Sequence, residues 1–244
     1  MGLHRDGNED SGLAATNLIA VADGMGGYAG GEVASSAVIR TLSSLLPVLN
    51  AEEIDVESRD DLFQNSLIDM NQAIRTVATE RPELEGMGTT ITTLAIFEDQ
   101  ISMLHVGDSR AYRIRGTNIT RLSQDHTVVQ ELLDQGRITE DEINEHPQRS
   151  FLTQALMGKG DIEPVLQVFP AAPGDIYLVC SDGLTSVVDE GEIARAFQDP
   201  ISVALDSLIE LTYKRGAPDN VTLVAALLGD TPVALPTTFI GAAS

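Results

Sequence analysis

Residues 16–22 (TNLIAVA) form an apolar run that meets an Asp23-Gly24 pair, the pattern of a buried strand. Residues 30–46 instead place apolar side chains at Val33, Ala34, Ala37, Val38, Leu42 and Leu45. That spacing predicts a helix, stopped by Pro47. The same period recurs over 60–80, at Leu62, Phe63, Leu67, Met70, Ile74 and Val77, and ends at Pro82. After Gly86-Met87-Gly88, β-branched runs at 89–97 and 101–106 flank Glu98-Asp99-Gln100 and predict a hairpin. Runs at 111–115 and 119–122 predict a second hairpin, turning at Gly116-Thr117-Asn118. From about 123 to 160 the texture changes to short helical patterns with polar connections, which reads as a flap inserted over the sheet. Strands resume at 165–169 and 176–180, helices at 192–197 and 202–214, and a last strand at 221–228. Hairpin-joined strands beside consecutive helices predict an α+β fold: an antiparallel β-sandwich flanked by helices on both sides.

Composition bounds this picture. The 244 residues, 43% of them hydrophobic, suit one domain, drawn as residues 1–229 with a flexible tail at 230–244. The net charge of −22 disfavours nucleic acid and anionic lipid as partners. Cys180 is the only cysteine, so no internal disulfide is possible, and a reducing, cytoplasmic setting is expected. The first fifteen residues lack the apolar centre of a signal peptide, and no uncharged apolar stretch approaches the ~20 residues of a membrane helix. The expected molecule is a soluble monomer without membrane contact.

The aspartates carry the chemistry. Asp23, Asp108 and Asp182 end the apolar runs LIAVAD, SMLHVGD and YLVCSD, and Asp219 precedes VTLVAALL. If these ends converge, the crowded charges require cations. Oxygen ligands without a His or Cys set select Mg²⁺ or Mn²⁺ over zinc. Glycine after Asp23 and Asp182 would let a backbone carbonyl approach the same ion. Any single Asp-Gly pair is more often a plain turn, so the combination is what counts.

Six blocks then occur in order: Arg5-x-x-Asn8-Glu9-Asp10, Asp23-Gly24-Met25-Gly26-Gly27, Gly88-Thr89-Thr90, Gly107-Asp108-Ser109-Arg110, Ser181-Asp182-Gly183 and Asp219-Asn220-Val221-Thr222. The chain thereby resembles the protein phosphatase 2C family of metal-dependent Ser/Thr phosphatases, and among them the bacterial enzymes that oppose membrane-bound Ser/Thr kinases. The resemblance implies hydrolysis of phosphoserine and phosphothreonine by a metal-activated water. It implies Asp23 bridging two tightly bound Mn²⁺ or Mg²⁺ ions with the Gly24 carbonyl on one. Asp182 and Asp219 complete that pair, and Asp108 with Asp182 holds a third, weaker ion. Arg5 binds the substrate phosphate, Glu9 and Asp10 act through metal-bound waters, and Thr89, Thr90 and Asn220 orient the ligands. Phosphorylated kinases and their targets are the implied substrates. By the same analogy the chain could be the cytoplasmic catalytic part of a longer, membrane-anchored protein. Two departures stand out. Met25 occupies a position where eukaryotic members often have histidine, and only four residues precede Arg5, where the family usually has a strand.

Competing chemistries lack their residues. Six residues after Cys180 stands Ser186, not the arginine of a cysteine phosphatase, so Cys180 reads as an inert strand thiol. No Asp-x-Asp-x-Thr nucleophile motif occurs, and Ser109 has no plausible triad partner. His105 reads as a sheet residue, and His4, His126 and His146 as surface groups. The alternative from another class is a phosphatase-like regulatory domain without turnover. Such domains typically lose a metal aspartate, and none of the four is lost here.

Overall fold

A computed structural model describes the chain except for residues 28, 52, 53, 98, 144, 161, 163, 230–232 and 234. In chain order its elements are β1 (Asp10–Ala14), β2 (Leu18–Met25), α1 (Gly30–Ser43), α2 (Leu46–Leu49) and α3 (Val56–Glu80). Next come β3 (Gly88–Thr89), β4 (Ile91–Phe97), β5 (Gln100–Val106), β6 (Arg110–Arg115) and β7 (Asn118–Arg121). The flap holds α4 (Val128–Asp134) and α5 (Glu140–Ile143). Then follow β8 (Gln167–Pro170), β9 (Ile176–Cys180), α6 (Asp182–Thr185), α7 (Glu190–Ala196), α8 (Ile201–Lys214), β10 (Leu223–Leu227) and β11 (Thr238–Gly241).

Among the described residues these strands make two antiparallel sheets, ordered β11-β1-β2-β4-β5-β8, with β3 on β2, and β10-β9-β6-β7. The two-residue period of β2 explains why they stack. Leu18, Ala20 and Ala22 point to a core shared with α1 and α3, while Ile19 and Val21 point to the core between the sheets. Strand β9 does the same on the other side. Tyr177 and Val179 enter the inter-sheet core, and Leu178 and Cys180 pack with Leu184, Ile193 and Leu208 of α6, α7 and α8. The result is helices, sheet, sheet, helices, the α+β sandwich expected from the pattern.

Several boundaries shift for physical reasons. Strand β2 runs past Asp23 to Met25 because β3 pairs with it there, Gly24 against Thr89 and Met25 against Gly88. The predicted 89–97 strand breaks at Thr90, whose N–H and Oγ1 both turn to the Asp23 backbone. Pro47 does not end the first helix; it sits in the opening turn of α2, where its missing N–H costs nothing. Helix α3 starts at Val56, capped by Asp55 accepting from Ser58 N–H at 2.9 Å. Together α1 and α2 are long and apolar enough to cross a membrane, but Glu32 and Arg40 lie within. The buried face, Ala34, Val38, Ile39 and Leu42, joins the core against β2.

The segment 230–244 is not loose along its whole length. Residues 238–241 form β11, paired with β1 from Ser11–Gly241 to Ala14–Thr238. Arg40 donates to the Ala243 carbonyl at 2.9 Å, and Ala242 N–H donates to the Asp10 carbonyl at 2.8 Å. An open strand edge on β1 is thereby paired, which orders residues 238–241 of the expected flexible tail.

Candidate active site

The carboxylates meet at one end of the sandwich. Asp10 starts β1 and stands in register with Asp23 on β2. Asp108 lies in the turn that carries the chain from β5 in one sheet to β6 in the other. Asp182 opens α6 directly after β9, and Asp219 precedes β10. Both sheets therefore deliver acid to the same edge.

Backbone packing fixes this arrangement. Asp23 N–H donates to Thr90 Oγ1 at 2.9 Å, while the Asp23 carbonyl accepts from Thr90 N–H and Thr89 Oγ1, each at 2.9 Å. Thr90 Oγ1 also shares a 2.8 Å hydrogen bond with Ser109 Oγ, tying the Asp108 turn to the Asp23 strand. Asn220 accepts from Glu9 N–H at 2.9 Å and donates to the Gly7 carbonyl at 3.0 Å, which holds the Arg5–Glu9 segment against the Asp219 loop. Two glycines permit the closest approaches. A β-carbon at Gly24 would lie 2.6 Å from the Glu9 carbonyl oxygen and run into that of Gly31, and one at Gly183 would run into that of Asn220.

The electrostatics show how close the acids are. Burial, reinforced by the charges of Asp10, Asp182, Asp108 and Asp219, holds the Asp23 carboxyl well above the usual carboxylate range. Burial, with the charge of Asp182 next, lifts Asp108 to about 7. Burial lifts Asp10 to about 6, against hydrogen bonds from Ser181 and Thr222 that favour its charged form. Asp182 rises through burial and the charge of Asp219, partly offset by a hydrogen bond with Asp23. Glu9 rises through burial, moderated by Arg5. Asp10 Oδ1 and Asp182 Oδ1 are buried and have no hydrogen-bond partner. Such orphaned oxygens, in an oxygen-only donor set, are what a hard divalent cation would satisfy. Among the described residues no three ligating side chains already close on one point. Arg5, half-exposed, reaches across to pair with Asp219. It lines a cavity of about 470 Å³ with Asn8, Glu9, Gly26 and Glu32. A larger cavity of about 1110 Å³, lined by Ala14, Ile19, Ile96 and Leu227 among others, involves none of these acids.

Some residues carry roles that motif reading did not give them. Ser181 Oγ donates to Asp10 Oδ2 at 2.7 Å and accepts from Thr222 N–H at 3.0 Å. Arg110 grips Asp125 through Nε at 3.1 Å and a terminal nitrogen at 2.7 Å, and Arg121 pairs with the same carboxylate. That cluster anchors the start of the flap. His126 is not a free surface group: its Nδ1 accepts from Gly107 N–H at 3.1 Å, and its ring lies 4.9 Å from that of His105. Cys180 is fully buried, and burial pushes its thiol up to about 12.

Fold and site together define a class: a helix-flanked antiparallel sandwich with an acidic centre where the two sheets end. Residues 6–212 match the family model for protein phosphatase 2C, and the chain belongs to that family. It is 43% identical over 229 residues to the serine/threonine protein phosphatase PstP of Mycobacterium tuberculosis, covering 92% of this chain and 43% of that protein. The chain thus spans less than half the length of that relative. It is 34% identical over 231 residues to the serine/threonine phosphatase stp of Listeria innocua, covering 90% of each. A crystal structure of the PstP catalytic domain in complex with two manganese ions superposes with a TM-score of 0.82 at 40% identity, covering 94% of this chain and 95% of that one.

Proposed function

We propose that this chain is a metal-dependent protein phosphatase that hydrolyses phosphoserine and phosphothreonine. The observation that carries the reading is the set of buried, mutually repelling carboxylates of Asp10, Asp23, Asp108 and Asp182, two of which present unpartnered oxygens. The manganese-bound relative supports the same conclusion. All four strand-end aspartates are present, so the regulatory reading without turnover is not favoured.

Asp23, the Gly24 carbonyl, Asp182 and Asp219 would hold two Mn²⁺ or Mg²⁺ ions, and Asp108 with Asp182 a third, weaker one. Such ions supply an acidified water and neutralise phosphoryl oxygens. The chain's own residues do the positioning. Thr89 and Thr90 fix the Asp23 backbone from both sides. Glu9 and Asp10 line the acidic floor; Asn220 holds Glu9, and Ser181 holds Asp10. Arg5 offers a planar fork that binds two phosphate oxygens, exchanging Asp219 for substrate. Met25 has no proton to give, so no side chain at that position protonates the leaving alkoxide. Phosphorylated Ser/Thr kinases and their targets are the substrates we propose, for a cytoplasmic, monomeric catalytic domain.

The deciding experiment is turnover of p-nitrophenyl phosphate with Mn²⁺ and with chelator, beside Asp182→Asn. Turnover is expected to require the metal and to fall by several orders of magnitude in the variant. Full activity in chelator would overturn the reading. Asp108→Ala is expected to keep two tight ions by calorimetry and to slow phosphopeptides more than p-nitrophenyl phosphate, whose leaving group scarcely needs a proton.

A further inference from the structure

Along β2, side chains two residues apart share a face, so the row Ile19, Val21, Asp23, Met25 runs out of the inter-sheet core, through the acidic centre and onto its rim. Met25 is half-buried at that rim. Opposite it in register is Gly88, which has no side chain to fill the space. A second methionine arrives there from the flap. Leu156 bridges to Thr89, with N–H···O bonds of 2.9 Å in both directions, and Met157 follows it. A β-carbon placed on Gly88 would lie 3.1 Å from Met157 Cγ and 3.6 Å from Met25 Cγ. The two thioether side chains therefore close over Gly88 as a small apolar lip, one residue along β2 from the Gly24 carbonyl. Met157 is 38% exposed, whereas its neighbour Leu156 is fully buried and does the packing. Core stability thus does not account for an apolar side chain at 157.

We propose that Met25 and Met157 form a specificity lip that receives an aliphatic side chain next to the phosphorylated residue of the substrate. The proposal rests on the phosphatase reading and narrows it. The occupant follows from position and charge. Gly26, next to Met25 in the chain, lines the cavity that holds Arg5, so a substrate whose phosphate meets Arg5 can lay its neighbouring residue on this rim. Glu9 and Glu32, which line that cavity with Gly26, on a chain of net charge −22, disfavour an acidic neighbour. Methionine is unbranched and polarizable, so the lip would accept leucine, isoleucine or valine alike rather than one shape. A flap residue that touches substrate also explains why the flap returns to β3 through a fixed bridge instead of ending as an open loop.

The test uses two phosphothreonine peptides that differ only in carrying leucine or glutamate beside the phosphothreonine, with p-nitrophenyl phosphate as a substrate that has no neighbour. The wild-type protein with Mn²⁺ is expected to favour the leucine peptide in kcat/KM by roughly ten-fold, the scale of a small apolar contact. Met157→Ser should lower that ratio several-fold, leaving only the part set by charge, and Met157→Leu should keep it. A leucine-to-glutamate ratio unchanged by Met157→Ser, with p-nitrophenyl phosphate still hydrolysed, would overturn the lip alone. No turnover of any of the three substrates by the wild-type protein would overturn the phosphatase reading and the lip with it.

Discussion

Arg5 is tied down by Asp219, the proposed metal ligand it would release to substrate, and that exchange sets its mutational signature. Arg5→Ala should weaken phosphate binding and leave Mn²⁺ binding in place, lowering kcat/KM by about 1.5–3 kcal/mol, the worth of a charge-assisted hydrogen bond. Steady-state kinetics beside calorimetry checks this, and an unchanged kcat/KM would remove Arg5 from the site. Cys180 makes the opposite prediction. With its thiol buried and held protonated, Cys180→Ser should retain activity and lose about 1–3 kcal/mol of stability in a denaturant titration, because a hydroxyl enters an apolar layer. An inactive but folded variant would reopen thiol chemistry. Most of these residues were legible in the sequence, since aspartates that end apolar runs are rare enough to notice as a set. Ser181, Asp125 and His126 were not. Ser181 acts on Asp10, Asp125 on Arg110 and His126 on Gly107, each pair too far apart in the chain for local spacing to show it.

At the scale of elements, the site depends on backbones that touch. The Asp182 turn and the Asp219 loop can meet only because position 183 has no side chain. Gly183→Ala should therefore separate Asp182 from Asp219, costing a large part of tight Mn²⁺ affinity and several kcal/mol of stability, as overpacking against immovable backbone does. Thermal unfolding with and without Mn²⁺ would show it; a variant with wild-type metal binding would mean the two segments need not touch. The sequence suggested a different use for this glycine, to let its carbonyl near an ion, because turn chemistry is visible in a dipeptide and tertiary contact is not. Most strands and the long helices were readable from period alone, but the five-residue β1, ahead of the first expected strand, was not. Helix α6 and strand β11 were missed for a common reason: each is four residues long, too short to express a period, and is held by what it packs against.

For the whole molecule, the carboxylate cluster couples stability to pH. An unfolded aspartate releases its proton near pH ~3.9, whereas Asp10 and Asp108 keep theirs to about 6 and about 7 in the folded protein without metal. Through that window the folded state binds more protons than the unfolded one, so stability falls as pH rises and levels off above it. The Tm of chelator-treated protein should drop from pH 5 to pH 8. Mn²⁺ at a hundred times its Kd should return about 2.7 kcal/mol and release protons on binding, measurable as a buffer-dependent heat. A Tm independent of pH without metal would mean the acids do not crowd. The pairing of β11 with β1 bears on a different matter, the birth of the protein. Every other described element lies between these two strands in the sequence, so the outer edge of β1 stays unpaired during synthesis until residues 238–241 have been made. Such an edge invites pairing between nascent chains on one messenger, and it makes the final closure a slow, long-range step. A circular permutant joining residue 244 to residue 1 would turn this closure into a local hairpin, and it should refold faster from denaturant while keeping the same metal chemistry.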